Sequence, residues 1–248
     1  MRLRFRTLVV LLSLLTLVSC AVVRPSVIAP FLEMPARPAP AASDDVSLEP
    51  HRVWTVVLTD DFIRLLIIKG LRPEEVEGVA SRTLGDLYAP FRIRFPFVRG
   101  VRGKVEPVVA GGSLIEVVAE APGAEEDLLG RAIIDPFDRS AEVLRADDPR
   151  GPRGIMGGNM LRFLERRQDG IPLDAAYAGK AIGIVLAHEI GHSLGLVHLP
   201  QAPGEPSLPL VMLPSPGADG ILRGREARYY WTHVEAGYLA FVLGLRVP

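Results

Sequence analysis

The densest chemistry in this 248-residue chain lies in His188-Glu189-Ile190-Gly191-His192-Ser193-Leu194-Gly195-Leu196-Val197-His198. Three of its 5 histidines fall in this run. On a helix, His188 and His192 stand four residues apart and project from one face, stacked about one turn from each other. Two imidazoles so placed can bind one zinc ion, with nitrogen–metal distances of about 2.0–2.1 Å. Glu189 points close to the same face and can act as general base on a water that the metal activates, rather than as a ligand. Gly195 lets the chain leave the helix through a left-handed turn, which swings His198 back as a third ligand. Three protein ligands and one open position are the arrangement of a catalytic zinc site, and the chemistry to expect is hydrolysis. The competing reading is a buried helix whose histidines only hydrogen-bond within the core.

The elements that must position these groups are legible in outline. Asp174–Leu186 reads as an amphipathic to fully buried helix running into the motif, with Asp174 as N-cap and Ala181, Ile182, Val185 and Leu186 as its apolar stripe. Gly195 falls where a helix stop belongs. Arg52–Thr59, rich in Val, reads as a strand. Pro73–Tyr88 reads as a helix, with Pro73 suited to its first turn. Phe91–Val98 alternates apolar and polar residues as a half-buried strand does. Leu114–Ala119 and Arg131–Ile134 are shorter strand candidates. Asp147–Gly158 is largely loop by composition, although Ile155–Leu161 is expected as an edge strand beside the cleft, where a peptide can add. Arg225–Leu243 reads as a helix with Ala227, Tyr230, Trp231, Val234, Tyr238, Phe241 and Val242 in one stripe. The order strand, helix, strands, helix, helix fits an α/β or α+β domain.

The motif residues resemble the metzincin clan of zinc metallopeptidases. The resemblance is specific over 188–214 and architectural elsewhere. It implies a twisted, mostly parallel sheet packed on the active-site helix and a C-terminal helix. It also implies a methionine-containing turn beneath the metal, for which Leu210-Val211-Met212-Leu213-Pro214 is the candidate; the alternative for Met212 is an ordinary apolar loop. Clan members with a tyrosine ligand carry it two residues after the Met, where this chain has Pro214, so a ligand of that kind is not expected. Leu199, after the third histidine, matches no subfamily. Some clan zymogens occupy the zinc with a propeptide cysteine, and none lies between Cys20 and the motif.

The beginning of the chain carries a second signal. Met1–Arg6 is basic and Thr7–Val18 is apolar, but shorter than the roughly 20 residues a bilayer crossing needs, so the pair reads as a secretory signal. Leu17-Val18-Ser19-Cys20 resembles a bacterial lipobox, which implies cleavage before Cys20 and its acylation; the alternative is an unlipidated signal peptide with an incidental cysteine. Cys20 is the single cysteine of the chain, so no disulfide forms within it. Acylation with more than one chain makes membrane anchoring stable. Residues 20–50 are rich in Pro and Ala and read as an extended tether, leaving 51–248 as one domain.

Other features carry less. The net charge is −1 and Arg92, Arg94, Arg99 and Arg102 make only a local basic cluster, so nucleic-acid binding is not expected. Gly111-Gly112 lacks the spacing and lysine of a phosphate loop. His51 and His233 lie outside the motif, and Tyr229 and Tyr230 read as packing aromatics. The expectation is a lipid-anchored zinc endopeptidase of the bacterial cell envelope, with the outer membrane mildly favoured by Ala21 and with protein or peptide as substrate. The alternative is a surface lipoprotein whose zinc site is structural or vestigial and serves binding.

Overall fold

The computed structural model describes residues 52–135, 141–166, 172–199, 210–213 and 228–245. The Val-rich run forms β1, Arg52–Thr59, whose residues from Trp54 onward are buried on both faces, as an interior strand of a parallel sheet must be. On one side it pairs in parallel with β2 (Ile93–Arg94) and β3 (Phe97–Gly100), and on the other with β4 (Ser113–Val118). Beyond β4 lie β6 (Val143–Leu144) and β7 (Gly154–Met156), both parallel to it. The sheet ends at β5 (Gly130–Arg131), which runs antiparallel to β7.

Five helices accompany these seven strands among the described residues: α1 (Asp60–Ile68), α2 (Pro73–Tyr88), α3 (Gly157–Glu165), α4 (Ala175–Ser193) and α5 (His233–Val242). This is the mixed α/β architecture expected from the order of elements. Trp54, Val56 and Leu58 on one face of β1 share a single apolar cluster with buried residues from all five helices. The opposite face is covered by loops, which buried polar side chains pin down. Thr55 Oγ1 accepts from Val108 N at 2.9 Å, and the Glu116 carboxylate accepts from Gly103 N at 2.7 Å and Ala146 N at 3.3 Å. No helix among the described residues is long and apolar enough to cross a membrane.

The helix α4 is buried on all sides from Ala181 to Leu194. Asp174 caps it, its side chain accepting from Tyr177 N at 2.8 Å, a contact of a kind that contributes about 1 kcal/mol. Its small residues let α2 approach closely. A Cβ on Gly179 would stand 2.6 Å from Val76 O, and one on Gly183 would stand 2.7 Å from Thr83 Cβ and 2.9 Å from Ala80 O. Tyr88 at the end of α2 donates its hydroxyl to Ala187 O at 2.9 Å, one residue before the motif.

Three expected elements differ. Phe91–Val98 is two short strands, because Arg92 takes a left-handed conformation (φ 54) and Pro96 has no N–H for the ladder. Ile155–Leu161 is not an edge strand: β7 lies between β4 and β5, and α3 begins at Gly157. Two glycines make that start fit, since a Cβ on Gly157 would collide with the Phe62 ring and one on Gly158 with Ala119 O. The C-terminal helix starts at His233 rather than Arg225. Thr232 and Glu235 form a reciprocal capping box there, which the pattern of apolar residues concealed. Val234 and Phe241 of the expected stripe are exposed, whereas Leu239 is buried; Ala227 lies outside the described residues.

The glycine contacts generate a paired test. Gly183→Ala is expected to cost about 1–3 kcal/mol through overpacking, lowering the melting temperature by about 3–8 °C. Gly85→Ala on α2, where nothing lies within 4 Å of the new Cβ, is expected to stabilise by up to about 1 kcal/mol. Equal melting shifts in calorimetry would contradict the close α2–α4 contact.

Candidate metal centre

The motif is assembled by the way α4 ends. Gly195 has φ +94, its N–H bonds His192 O at 2.8 Å, and Leu196 N–H bonds Gly191 O at 2.9 Å. This pair of bonds is a Schellman turn, which needs a left-handed residue at Gly195. The turn reverses the chain and returns His198 to the helix. The three Nε2 atoms then converge: His188 to His192 at 3.1 Å, His188 to His198 at 3.1 Å, and His192 to His198 at 3.0 Å. His188 and His192 are buried, and His198 is exposed.

The tautomers follow from the opposite side of each ring. His188 Nδ1 lies 2.7 Å from Val211 O, and His192 Nδ1 lies 2.8 Å from Leu196 O. A carbonyl only accepts, so both Nδ1 atoms carry the proton and both Nε2 atoms carry a lone pair. Those lone pairs face each other 3.1 Å apart with no proton between them. Two nitrogens bound to one tetrahedral ion at about 2.0–2.1 Å lie about 3.3 Å apart, so the spacing fits a shared cation within a few tenths of an ångström. The three histidines can hold a metal ion, and backbone carbonyls orient two of them as metal-site histidines require.

Residues 210–213 form the wall behind the rings. Met212 is fully buried, and its Sδ lies 2.7 Å from the point a Cβ on Gly191 would occupy. Met212 O accepts from Leu199 N at 2.9 Å, next to His198, while Val211 N bonds Tyr230 O at 3.3 Å. Leu210 and Tyr230 form a bridge. The segment therefore fixes the His188 tautomer, anchors the chain after His198 and packs under the helix between them.

Glu189 is 5% exposed. Burial raises its pKa to about 8, opposed by the positive charge of Arg131. Above it runs β5: a Cβ on Gly130 would sit 2.6 Å from Glu189 Oε1, so only glycine lets the edge strand lie on the carboxylate. His233 is exposed at the start of α5 and outside the histidine cluster. Tyr229 lies beside Tyr177 at the beginning of α4, and burial raises its pKa. Cys20, the tether and Pro214 lie outside the described residues.

No family model matches the chain, and no curated protein does. The centre therefore rests on its own geometry. Sequence reasoning located the three histidines, Glu189 and Gly195 but missed Val211 O, Leu196 O and Gly130. A carbonyl has no letter, and Gly130 lies 59 positions from the carboxylate it covers, in a Leu-Leu-Gly-Arg stretch without any motif.

The rings also make stability depend on pH. Burial lowers His188 to about 3 and lowers His192 and His198 as well. His188 stays neutral in the fold down to about pH 3 yet takes a proton on unfolding below about 6.5, and the other two shift in the same direction. Their contribution is complete above that pH and is lost as pH falls toward the folded value. In EDTA-treated protein, urea unfolding from pH 7 to 5 should move against the wild type relative to His188→Gln, by up to about 1.4 kcal/mol per pH unit. A constant difference would show that His188 is not held neutral.

Proposed function

We propose that the chain is a zinc-dependent endopeptidase of the metzincin type. What carries this reading is the convergence of three imidazole nitrogens, with a buried carboxylate, Glu189, next in sequence to His188 and covered by an antiparallel sheet edge. Imidazole donors suit zinc among the available transition ions. Three ligands among the described residues leave the coordination open, as a catalytic site needs and a structural one does not. The burial of Met212 against Gly191 of the motif supports reading it as the methionine of the turn that the clan resemblance implies.

Zinc in this position supplies Lewis acidity, polarising a scissile carbonyl and lowering the pKa of water toward about 7. Glu189 takes the proton from the attacking water and passes it to the leaving amine. The positive charge of Arg131, and that of a metal ion when bound, favour the carboxylate form that accepts the proton. Gly130 lets the backbone of β5 lie against Glu189, so an extended peptide pairing with this edge has its carbonyls presented to the site. The edge in this role is Gly130–Arg131 rather than Ile155–Leu161.

The resemblance of residues 1–20 to a lipoprotein signal supports, as part of this proposal, a location in the bacterial cell envelope, with attachment to a membrane through Cys20 and the Pro/Ala-rich tether. The alternative, a lipoprotein with a structural or vestigial site, differs in what Glu189 does.

Zinc content and turnover separate the two. Glu189→Gln should retain one equivalent of zinc by mass spectrometry and lose about 10²–10⁴-fold in cleavage of an unbiased peptide library, whereas His188→Ala should lose the metal. Wild-type turnover in Glu189→Gln would remove Glu189 from the mechanism, and a zinc-loaded wild type that cleaves nothing would favour the binding module. In a bacterial host, Cys20→Ser should move the protein from the membrane to the soluble fraction. A variant that stayed with the membrane would sink the lipid anchor.

A further inference from the structure

Arg131 follows the glycine that lies on Glu189. It is exposed and makes no ion pair or side-chain hydrogen bond among the described residues. The arginines of the neighbouring β6–β7 loop behave differently: Arg145 closes on Glu106, and Arg150 and Arg153 close on Asp148. That loop passes beside Arg131 at Gly151, where a Cβ would stand 3.6 Å from Arg131 Nη1. With no side chain at Gly151, one flank of the guanidinium stays open. It forms no bond to the carboxylate that its neighbour Gly130 covers. A cation on the strand that covers Glu189 thus keeps its forked donors unused on the face opposite that carboxylate, and such a fork matches a carboxylate in shape and charge.

We infer that Arg131 binds a carboxylate of the substrate, either an acidic side chain near the scissile bond or the free C-terminus of a short peptide. The inference rests on the peptidase reading and adds the substrate class to it. Arg131 sits on the strand that an extended peptide would pair with, so the carboxylate belongs to a residue beside the cleaved bond rather than to a remote one. The metal does not enter into this recognition, which can be read by binding alone.

The test uses full-length protein and a peptide series in which Glu, Gln or Lys is walked through a neutral sequence, each with an amidated or a free C-terminus. Zinc-loaded wild type should prefer the Glu or free-acid peptides over neutral ones by about fivefold in kcat/KM, the scale of an exposed ion pair. Arg131→Glu should invert that order in favour of Lys, while Arg131→Gln should abolish it. A preference confined to amidated Glu peptides assigns the side chain, and one confined to free acids assigns the terminus. Affinities measured by fluorescence anisotropy with Glu189→Gln report on Arg131 even if no peptide is turned over, so loss of the peptidase reading is separable from loss of this one. Equal affinity of wild type for acidic and neutral peptides, or an order that Arg131→Glu leaves unchanged, overturns the proposal.

Discussion

Two carbonyl oxygens, those of Val211 and Leu196, decide what the motif can do. By accepting the Nδ1 protons of His188 and His192 they strip both inward nitrogens of hydrogen and set two lone pairs against each other across 3.1 Å. Neutral rings in that arrangement repel, and a cation relieves the repulsion. The tautomer is thus chosen by backbone well outside the H-E-x-x-H letters. Leu196 belongs to the turn that ends α4, and Val211 belongs to a segment held by Tyr230 and in turn holding Leu199. Disturbing either carbonyl would leave every motif residue in place and still change which ring nitrogens are free.

Much of the scaffold was readable because its signals are local. Arg52–Thr59 and Pro73–Tyr88 appear with the boundaries their composition and periodicity suggested, and Asp174 caps the motif helix as its side chain allows. Where the reading failed, a nonlocal or main-chain effect won. The alternation of Phe91 to Phe97 survives as graded burial, but Pro96 breaks the ladder that would have made one strand. The apolar spacing of Arg225–Leu243 suggested a long helix, and a capping box inside it set the true start. Gly157 and Gly158 looked like loop residues, yet they are glycines because the Phe62 ring and Ala119 O leave no room for a Cβ.

At the centre, the same division holds. The ligands lie within eleven consecutive residues and announce themselves by type and spacing. Of the groups that orient and cover them, Leu196 O lies within the run, whereas Gly130 and Val211 O arrive from elsewhere, and these three act through a backbone atom or a missing side chain. Gly130, Gly191 and Gly195 show three uses of one residue: room above Glu189, room for Met212 beneath the helix, and a left-handed exit. Only the last has a sequence signature, because it alone depends on its place at a helix end.

The burial of α4 on every side from Ala181 onward has a bearing on how such a chain is delivered. A helix with no polar face resembles a segment that a translocation channel would release into the bilayer. Ala181–Ala187 is a run of seven residues without a charge, and Lys180 on one side with His188, Glu189 and His192 on the other cuts it off. A membrane-arrested helix needs roughly 20 apolar residues. The polar groups of the motif thus cut short the apolar run of this buried helix, so the side chains that form the site also keep the helix short of a membrane span.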